Sequence, residues 1–174
     1  MSYDDTMSSG LEYIRKTSSV EMTKQLGSTL ASYVRVGDVV VLNGDLGAGK
    51  THFVQGVAQR LGVCDAVTSP TFNILLSYQT SGGLPLHHFD LYRLDSSDQL
   101  EDIAYYETLD GDGVSFVEWG EKFPAELPCS YLQITITVND DDTRTIRAHA
   151  FGDRARQLLM VWASDSRSRL MRCS

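Results

Sequence analysis

A glycine-rich segment between two apolar ones restricts the fold of this chain more than any other feature of its sequence. Residues 44–51 match G-x-x-x-x-G-K-[ST], the pattern of a phosphate-binding P-loop. Residues 39–42 are all apolar and predict a strand buried on both faces. Apolar residues recur at helical spacing from Phe53 to Leu61, and Gly62 is typical of a helix end. Because the motif lies between a strand and a helix, it predicts a nucleotide-binding α/β protein.

The residue types in this loop suit a polyphosphate. Glycine lacks a Cβ and adopts positive φ, so the backbone can approach the ligand and point successive N–H groups at it. The positive end of the following helix dipole adds to this attraction. Lys50 supplies a charge for the β- and γ-phosphates, and Thr51 supplies a hydroxyl for Mg²⁺. An ordinary glycine-rich turn is the alternative interpretation. The predicted nucleotide-binding residues are Gly44, Asp45, Leu46, Gly47, Ala48, Gly49, Lys50 and Thr51.

Hydrophobic periodicity predicts further elements along the chain. The predicted strands are 11–15, 39–43, 74–78, 84–89, 114–117, 131–138 and 143–151. The predicted helices are 18–35, 53–61, 95–109 and 153–162. Their expected N-terminal caps are a capping box of Ser18 with Glu21, then Asp95 or Ser96, and finally Asp153. Strands 74–78 and 84–89 should form one hairpin, and the last two strands another.

Length and composition bound the remaining possibilities. The 174 residues suit a single P-loop domain, 1–174, with flexible ends at 1–10 and about 164–174. A net charge of −8 argues against binding nucleic acid without a partner, because phosphate contacts need a basic surface. The three cysteines are far apart, which disfavours a disulfide framework or a zinc site. The polar first ten residues do not predict a signal peptide, and no apolar run reaches membrane-spanning length, so we expect a cytoplasmic protein.

Two acidic residues follow predicted core strands. Asp90 comes after strand 84–89, and Glu118 comes after strand 114–117. In open α/β sheets, ligands lie at the carboxyl ends of strands, so both carboxylates should face the P-loop. One would bind the metal and the other would orient the attacking water, although the pattern does not assign the two roles. Each could instead be a solvated acid at a strand end.

A hydroxyl-rich loop lies between the P-loop helix and the next predicted strand. Thr68, Ser69 and Thr71 surround Pro70, which excludes a helix there. The position is that of a switch that senses the γ-phosphate, and an ordinary turn rich in hydroxyls is the alternative.

Three other conspicuous features receive less specific interpretations. Trp119 is interpreted as a packing residue rather than one that stacks on a nucleotide. His88 is interpreted as a strand residue that could orient the Asp90 carboxylate. The arginines from Arg154 onward are interpreted as a solvated basic end.

Four segments occur together in an order that is typical of one family. They are 44–51, Thr68-Ser69-Pro70-Thr71-Phe72, His88-Phe89-Asp90-Leu91-Tyr92-Arg93-Leu94 and Val117-Glu118-Trp119. In these segments the chain resembles the TsaE family (also called YjeE), the P-loop ATPases of bacterial tRNA threonylcarbamoyladenosine (t6A) synthesis. The segments 90–94 and 118–119 are specific to that family, whereas the P-loop alone is not. The resemblance extends from about Ser18 to Arg147.

The resemblance implies a mixed β-sheet with helices on both faces and an ATPase that is weak alone. It implies ATP and Mg²⁺ as cofactors, TsaB- and TsaD-like proteins as partners, and contact with tRNA only through that complex. ATP hydrolysis would drive or reset the complex between turnovers. Thr51 and Glu118 would be the metal ligands, Asp90 would act on the attacking water with Lys50 as the second catalytic residue, and Ser19 would lie near the adenine.

Other classes of P-loop protein remain as alternatives. A small-molecule kinase is the main one, although the scattered arginines do not predict the arginine-bearing lid that a kinase needs. A signalling GTPase would need Asn-Lys-x-Asp, and the turn 139–142 lacks the lysine. A nucleotide-binding scaffold without hydrolysis would not depend on Asp90.

Overall fold

The structure is a computed structural model that describes residues 12–170, with the side chains of 13–165. Its strands are β1 (Glu12–Thr17), β2 (Val39–Asn43), β3 (Leu75–Tyr78), β4 (Leu86–Asp90), β5 (Val114–Glu118), β6 (Tyr131–Val138) and β7 (Arg144–Phe151). Its helices are α1 (Val20–Ala31), α2 (Lys50–Leu61), α3 (Gln99–Asp102), α4 (Tyr105–Leu109) and α5 (Asp153–Leu170), with short 3₁₀ helices at Gly120–Lys122 and Pro124–Glu126. Of the predicted flexible ends, all of 1–10 and the last part of 164–174, residues 171–174, lie outside the described residues, as does the first residue of the predicted strand 11–15.

The strands form one seven-stranded mixed sheet in the order β1-β7-β6-β2-β5-β4-β3. β2 runs parallel to β5 and to β6, and β5 runs parallel to β4. The pairs β3–β4 and β6–β7 are the predicted antiparallel hairpins, and β1 pairs with β7 at the sheet edge. β2, β4 and β5 therefore bring their carboxyl ends to one edge of the sheet, where the P-loop begins.

Helices cover both faces of this sheet, so the predicted fold class is confirmed. Alternate residues of a strand point to opposite faces. Val40 and Leu42 of β2 join a core with residues of α1, α2 and α5. Val39 and Val41 join a second core with residues of α3 and α4. Both faces of β2 are thus buried, as its continuous apolar run predicts.

The two helices beside the P-loop pack with their backbones in close approach. A Cβ at Gly27 of α1 would overlap the Phe53 carbonyl oxygen of α2. A Cβ at Gly56 of α2 would overlap the Lys24 carbonyl oxygen of α1. Protein interiors are packed too densely to absorb such an atom without a shift of the backbone. These two glycines therefore set the position of α2 and of the loop that precedes it.

We expect Gly56→Ala to destabilise the fold, because the added methyl group meets a carbonyl oxygen of the neighbouring helix. Overpacking of this kind costs about 1–3 kcal/mol, which urea unfolding would detect. Gly82→Ala is the matched control, since nothing lies within 4 Å of a Cβ at that position and its φ is not positive. Equal unfolding free energies for the two variants would contradict the close packing of α1 against α2.

The structure corrects both predicted boundaries of α1. The N-cap is Ser19, whose Oγ accepts the Met22 N–H at 3.1 Å, rather than Ser18 in a capping box with Glu21. Because β1 continues to Thr17, few residues remain between the strand and the helix, and α1 begins later than predicted. The helix ends at Ala31 instead of near residue 35. The Asp38 carboxylate accepts the Arg35 N–H at 2.8 Å, which gives this backbone a partner outside the helix.

The single helix predicted over 95–109 is wrong. The segment contains two short helices, α3 and α4, because Ala104 between them has a φ of 53° that interrupts helical geometry. Asp95 and Ser96 do not cap α3. The Gln99 side chain instead accepts hydrogen bonds from both of their backbone N–H groups, at 2.8 and 3.1 Å.

The last helix is longer than predicted, and its first arginine, Arg154, forms an ion pair instead of being a solvated basic residue. α5 begins at Asp153, so Asp153 is the first helical residue rather than the cap, and it continues through Leu170 over much of the predicted flexible end. Arg154 donates to both carboxylate oxygens of Asp38, at 2.8 and 2.6 Å.

Within residues 12–170, none of the helices is both long and apolar enough to cross a membrane.

Candidate nucleotide-binding site

The P-loop leaves the carboxyl end of β2 and enters the first turn of α2. Gly44, Gly47 and Gly49 have positive φ angles of 144°, 80° and 117°. A Cβ at Gly44 would also overlap the Ile136 carbonyl oxygen of β6, so this position requires glycine for space as well as for conformation. α2 begins directly after Gly49. The N–H groups in the first turn of α2, which have no acceptor within the helix, therefore lie where the loop meets the helix and can bind a phosphate there.

A cavity of about 420 Å³ opens beside this loop. It brings together the three groups of residues that the sequence singles out: the P-loop, the hydroxyl-rich loop and the strand-end acids. It is lined by residues 46–52, Ser69, Thr71, Asp90, Tyr92, Glu118 and Trp119. Gly44 and Asp45 are not part of the lining, but their carbonyl oxygens hold the side chain of Lys50.

Lys50 is buried next to the loop, with 4% of its surface exposed. Its Nζ donates to the carbonyl oxygens of Gly44 at 2.6 Å and Asp45 at 3.0 Å. The same ammonium lies 4.3 Å from the centre of the Trp119 ring, within range of a cation–π contact. Burial lowers the pKa of Lys50, and the carboxylates around it, Glu118 first, oppose this shift. The cavity therefore holds one positive charge between the P-loop and the strand-end acids.

The Thr51 hydroxyl and the Glu118 carboxylate are in direct contact. Thr51 Oγ1 donates to Glu118 Oε1 at 3.0 Å, and His88 Nε2 lies 2.8 Å from the same oxygen. Glu118 and His88 are 3% and 0% exposed. The parallel register accounts for this proximity, because Glu118 is the partner of Leu42 in β2 and of Asp90 in β4. The two predicted metal ligands are neighbours in the cavity.

Asp90 is held by the hydroxyl-rich loop rather than by His88. Its Oδ2 accepts from Thr71 Oγ1 at 3.0 Å and from Ser69 Oγ at 3.3 Å, and its Oδ1 accepts the Tyr92 N–H at 3.0 Å. His88, which the sequence suggests as a partner for Asp90, bonds to Glu118 instead. The two strand-end acids thus have separate hydrogen-bond partners within one cavity.

Besides Gly44 and Asp45, two further candidate residues, Ser19 and Thr68, do not line this cavity. Ser19 caps α1 through the Met22 N–H. The next part of α1 approaches the P-loop, since the Thr23 methyl group lies 3.8 Å from where a Cβ on Gly49 would be. Thr68 is exposed and belongs to the loop that carries Ser69 and Thr71 without facing the cavity with them.

The cavity has an aromatic side that the sequence patterns did not indicate. Trp119 lines it as well as packing, and its ring centre lies 5.0 Å from that of Tyr92. Trp119 has a φ of 62°, which is unusual for a bulky residue. The position of Trp119 directly after the strand-end acid Glu118 could have indicated that it lines the cavity. Its positive φ has no signal in the sequence.

A family model described as "Threonylcarbamoyl adenosine biosynthesis protein TsaE" matches residues 17–146 of this chain. Two relatives carry the name tRNA threonylcarbamoyladenosine biosynthesis protein TsaE. The one from Bacillus subtilis is 43% identical over 143 residues, which is 82% of this chain and 89% of the relative. The one from Treponema pallidum is 42% identical over 128 residues, or 74% of this chain and 93% of the relative. The matched region contains the P-loop, the hydroxyl-rich loop and both acids.

A solved structure has the same fold. The crystal structure of Bacillus subtilis YdiB superposes on this chain with a TM-score of 0.78 at 35% sequence identity. The superposition covers 92% of this chain and 99% of that one. The likeness therefore extends over most of the chain.

Proposed function

The chain belongs to the TsaE family, and from this membership we propose that it is an ATPase of tRNA threonylcarbamoyladenosine synthesis. ATP is the proposed substrate and Mg²⁺ the proposed metal. The observation that supports hydrolysis, beyond binding, is the arrangement of Thr51, Glu118 and Asp90 beside the P-loop in one cavity. A phosphate-binding loop alone retains a nucleotide, whereas turnover also requires groups for the metal and for the attacking water.

The P-loop binds the triphosphate through backbone N–H groups and one cation. Positive φ at Gly44, Gly47 and Gly49 curves the loop so that successive N–H groups can converge on an anion. The Lys50 ammonium lies at the base of the loop, where its carbonyl contacts with Gly44 and Asp45 can be exchanged for phosphate oxygens. A phosphate dianion is a stronger acceptor for this cation than a neutral carbonyl group.

The donor set of the cavity fits Mg²⁺. In phosphate sites, Mg²⁺ takes one or two protein oxygens and completes its octahedron with phosphate oxygens and water. Thr51 Oγ1 and Glu118 would hold it. Because Thr51 donates its proton to Glu118, the hydroxyl oxygen keeps its lone pairs for the ion. When bound, Mg²⁺ neutralises negative charge on the β- and γ-phosphates.

Asp90 orients the water that attacks the γ-phosphate. It is 3% exposed, lines the cavity and is anchored from two sides, by the Tyr92 N–H and by the hydroxyls of Ser69 and Thr71. These hydroxyls belong to the loop between α2 and β3, which we propose as the γ-phosphate switch. A movement of this loop would reach Asp90 directly because the two share hydrogen bonds.

The protein works with partners in the cytoplasm. TsaB- and TsaD-like proteins attach the threonylcarbamoyl group to the adenosine beside the anticodon, and ATP hydrolysis drives or resets their complex. The tRNA is held by these partners, which agrees with the net charge of −8 on this chain.

The test is ATP turnover measured with the protein alone and then with purified TsaB- and TsaD-like partners. We expect slow hydrolysis alone and clear stimulation by the pair, because the partners complete the site or speed product release. Magnesium-dependent turnover that only a small phosphoryl acceptor stimulates would favour a small-molecule kinase. If ATP binds but is hydrolysed under none of these conditions, the result would favour a nucleotide-binding scaffold.

A further inference from the structure

A fully buried histidine lies behind the candidate metal ligand. His88 is 0% exposed in β4, where its register partners are Leu76 in β3 and Phe116 in β5. Its Nδ1 is buried and has no hydrogen-bond partner among the residues that the structure describes. A buried polar atom without a partner is unfavourable, and an apolar side chain of similar size would avoid it. Packing alone therefore does not account for histidine at this position.

The other ring nitrogen, Nε2, makes a contact that explains why a histidine occupies position 88. A carboxylate can only accept hydrogen bonds, so the 2.8 Å contact with Glu118 Oε1 requires the proton to be on Nε2. Oε1 then accepts two hydrogen bonds, one from His88 and one from Thr51 Oγ1 at 3.0 Å. Two donors on a single oxygen fix the rotation of the carboxyl group. The second oxygen, Oε2, is then the one left to bind a ligand.

We propose that His88 is a positioning residue, which holds Glu118 in the orientation that binds the Mg²⁺ of the nucleotide complex. The proposal rests on the proposed function. It assigns to His88 a role that acts through Glu118, without contact to nucleotide or water. Hydrogen bonds from outside the ligand shell orient metal ligands in this way, and their loss lowers metal affinity about 10- to 100-fold.

The experiment measures how much Mg²⁺ tightens nucleotide binding. The affinity for a non-hydrolysable ATP analogue is determined by calorimetry with excess chelator and again with Mg²⁺, and the ratio of the two dissociation constants is the magnesium gain. His88→Leu removes the Nε2 donor, whereas His88→Gln keeps an amide N–H at a similar distance from the backbone. Glu118→Ala serves as the reference for loss of the ligand itself.

We expect His88→Leu to lose about tenfold or more of the magnesium gain while the affinity without metal stays as in the parent. His88→Gln should recover most of the gain. Ser115→Ala is the matched control: among the described residues, Ser115 Oγ on β5 is likewise buried without a hydrogen-bond partner, and it therefore makes no hydrogen bond to Glu118.

An unchanged magnesium gain in His88→Leu would overturn the proposal, and so would equal losses in His88→Leu and His88→Gln. If His88→Leu does not fold, His88→Met carries the same comparison. A Glu118→Ala variant that retains the full gain would refute the proposed metal site itself. That result separates failure of the proposed function from failure of the role of His88 alone.

Discussion

Replacing Lys50 with alanine is expected to weaken ATP binding by about 10- to 100-fold. A hydrogen bond to a charged group contributes about 1.5–3 kcal/mol, and about 1.4 kcal/mol corresponds to a factor of ten in affinity. Lys50 is a buried cation in a cavity that otherwise carries acids, so no neighbouring group compensates for its loss. The substitution also removes the donor to the carbonyl oxygens of Gly44 and Asp45, which loosens the loop before any ligand binds.

Calorimetry with an ATP analogue and Mg²⁺ would measure this effect. Lys24→Ala is the matched control, because Lys24 lies on α1 along a different groove and makes no part of the cavity lining. Its variant should bind the nucleotide as the parent does. If Lys50→Ala and Lys24→Ala bind equally well, the phosphates do not lie in the P-loop.

The sheet could be predicted from the sequence because its strands carry strong local signals. The apolar run of β2 and the alternation of β6 and β7 indicate their strands directly, and the structure confirms them. Helix ends were less predictable. Ser18 and Ser19 are chemically equivalent caps, and the choice between them depends on where the pairing of β1 with β7 stops. The break at Ala104 has no local signal at all, since alanine is a strong helix former.

The site was predictable to the extent that it follows from a contiguous motif. The P-loop fixes its own conformation, and Asp90 and Glu118 are found because parallel strands end at the same sheet edge. The pairing of His88 with Glu118 was missed because it depends on the register between β4 and β5, which periodicity does not specify. The aromatic contact of Trp119 with Lys50 likewise joins residues far apart in sequence.

The second large effect is expected for Asp90→Asn, which should leave ATP bound while slowing hydrolysis by about 10²- to 10⁴-fold. Asparagine has the same shape and keeps an oxygen for the Tyr92 N–H, so the loop after β4 should retain its conformation. The charge that orients and polarises the water is lost. In addition, the amide presents a donor where Asp90 Oδ2 accepts from Ser69 and Thr71, which forces these hydroxyls to rotate.

Binding and chemistry must be measured separately to establish this role. Calorimetry should give an affinity for the ATP analogue within about twofold of the parent, and single-turnover hydrolysis should give the loss of rate. Asp95→Asn is the control, since Asp95 is an exposed acid that does not line the cavity, and its variant should hydrolyse ATP normally. A parental rate for Asp90→Asn would transfer the water-orienting role to another group.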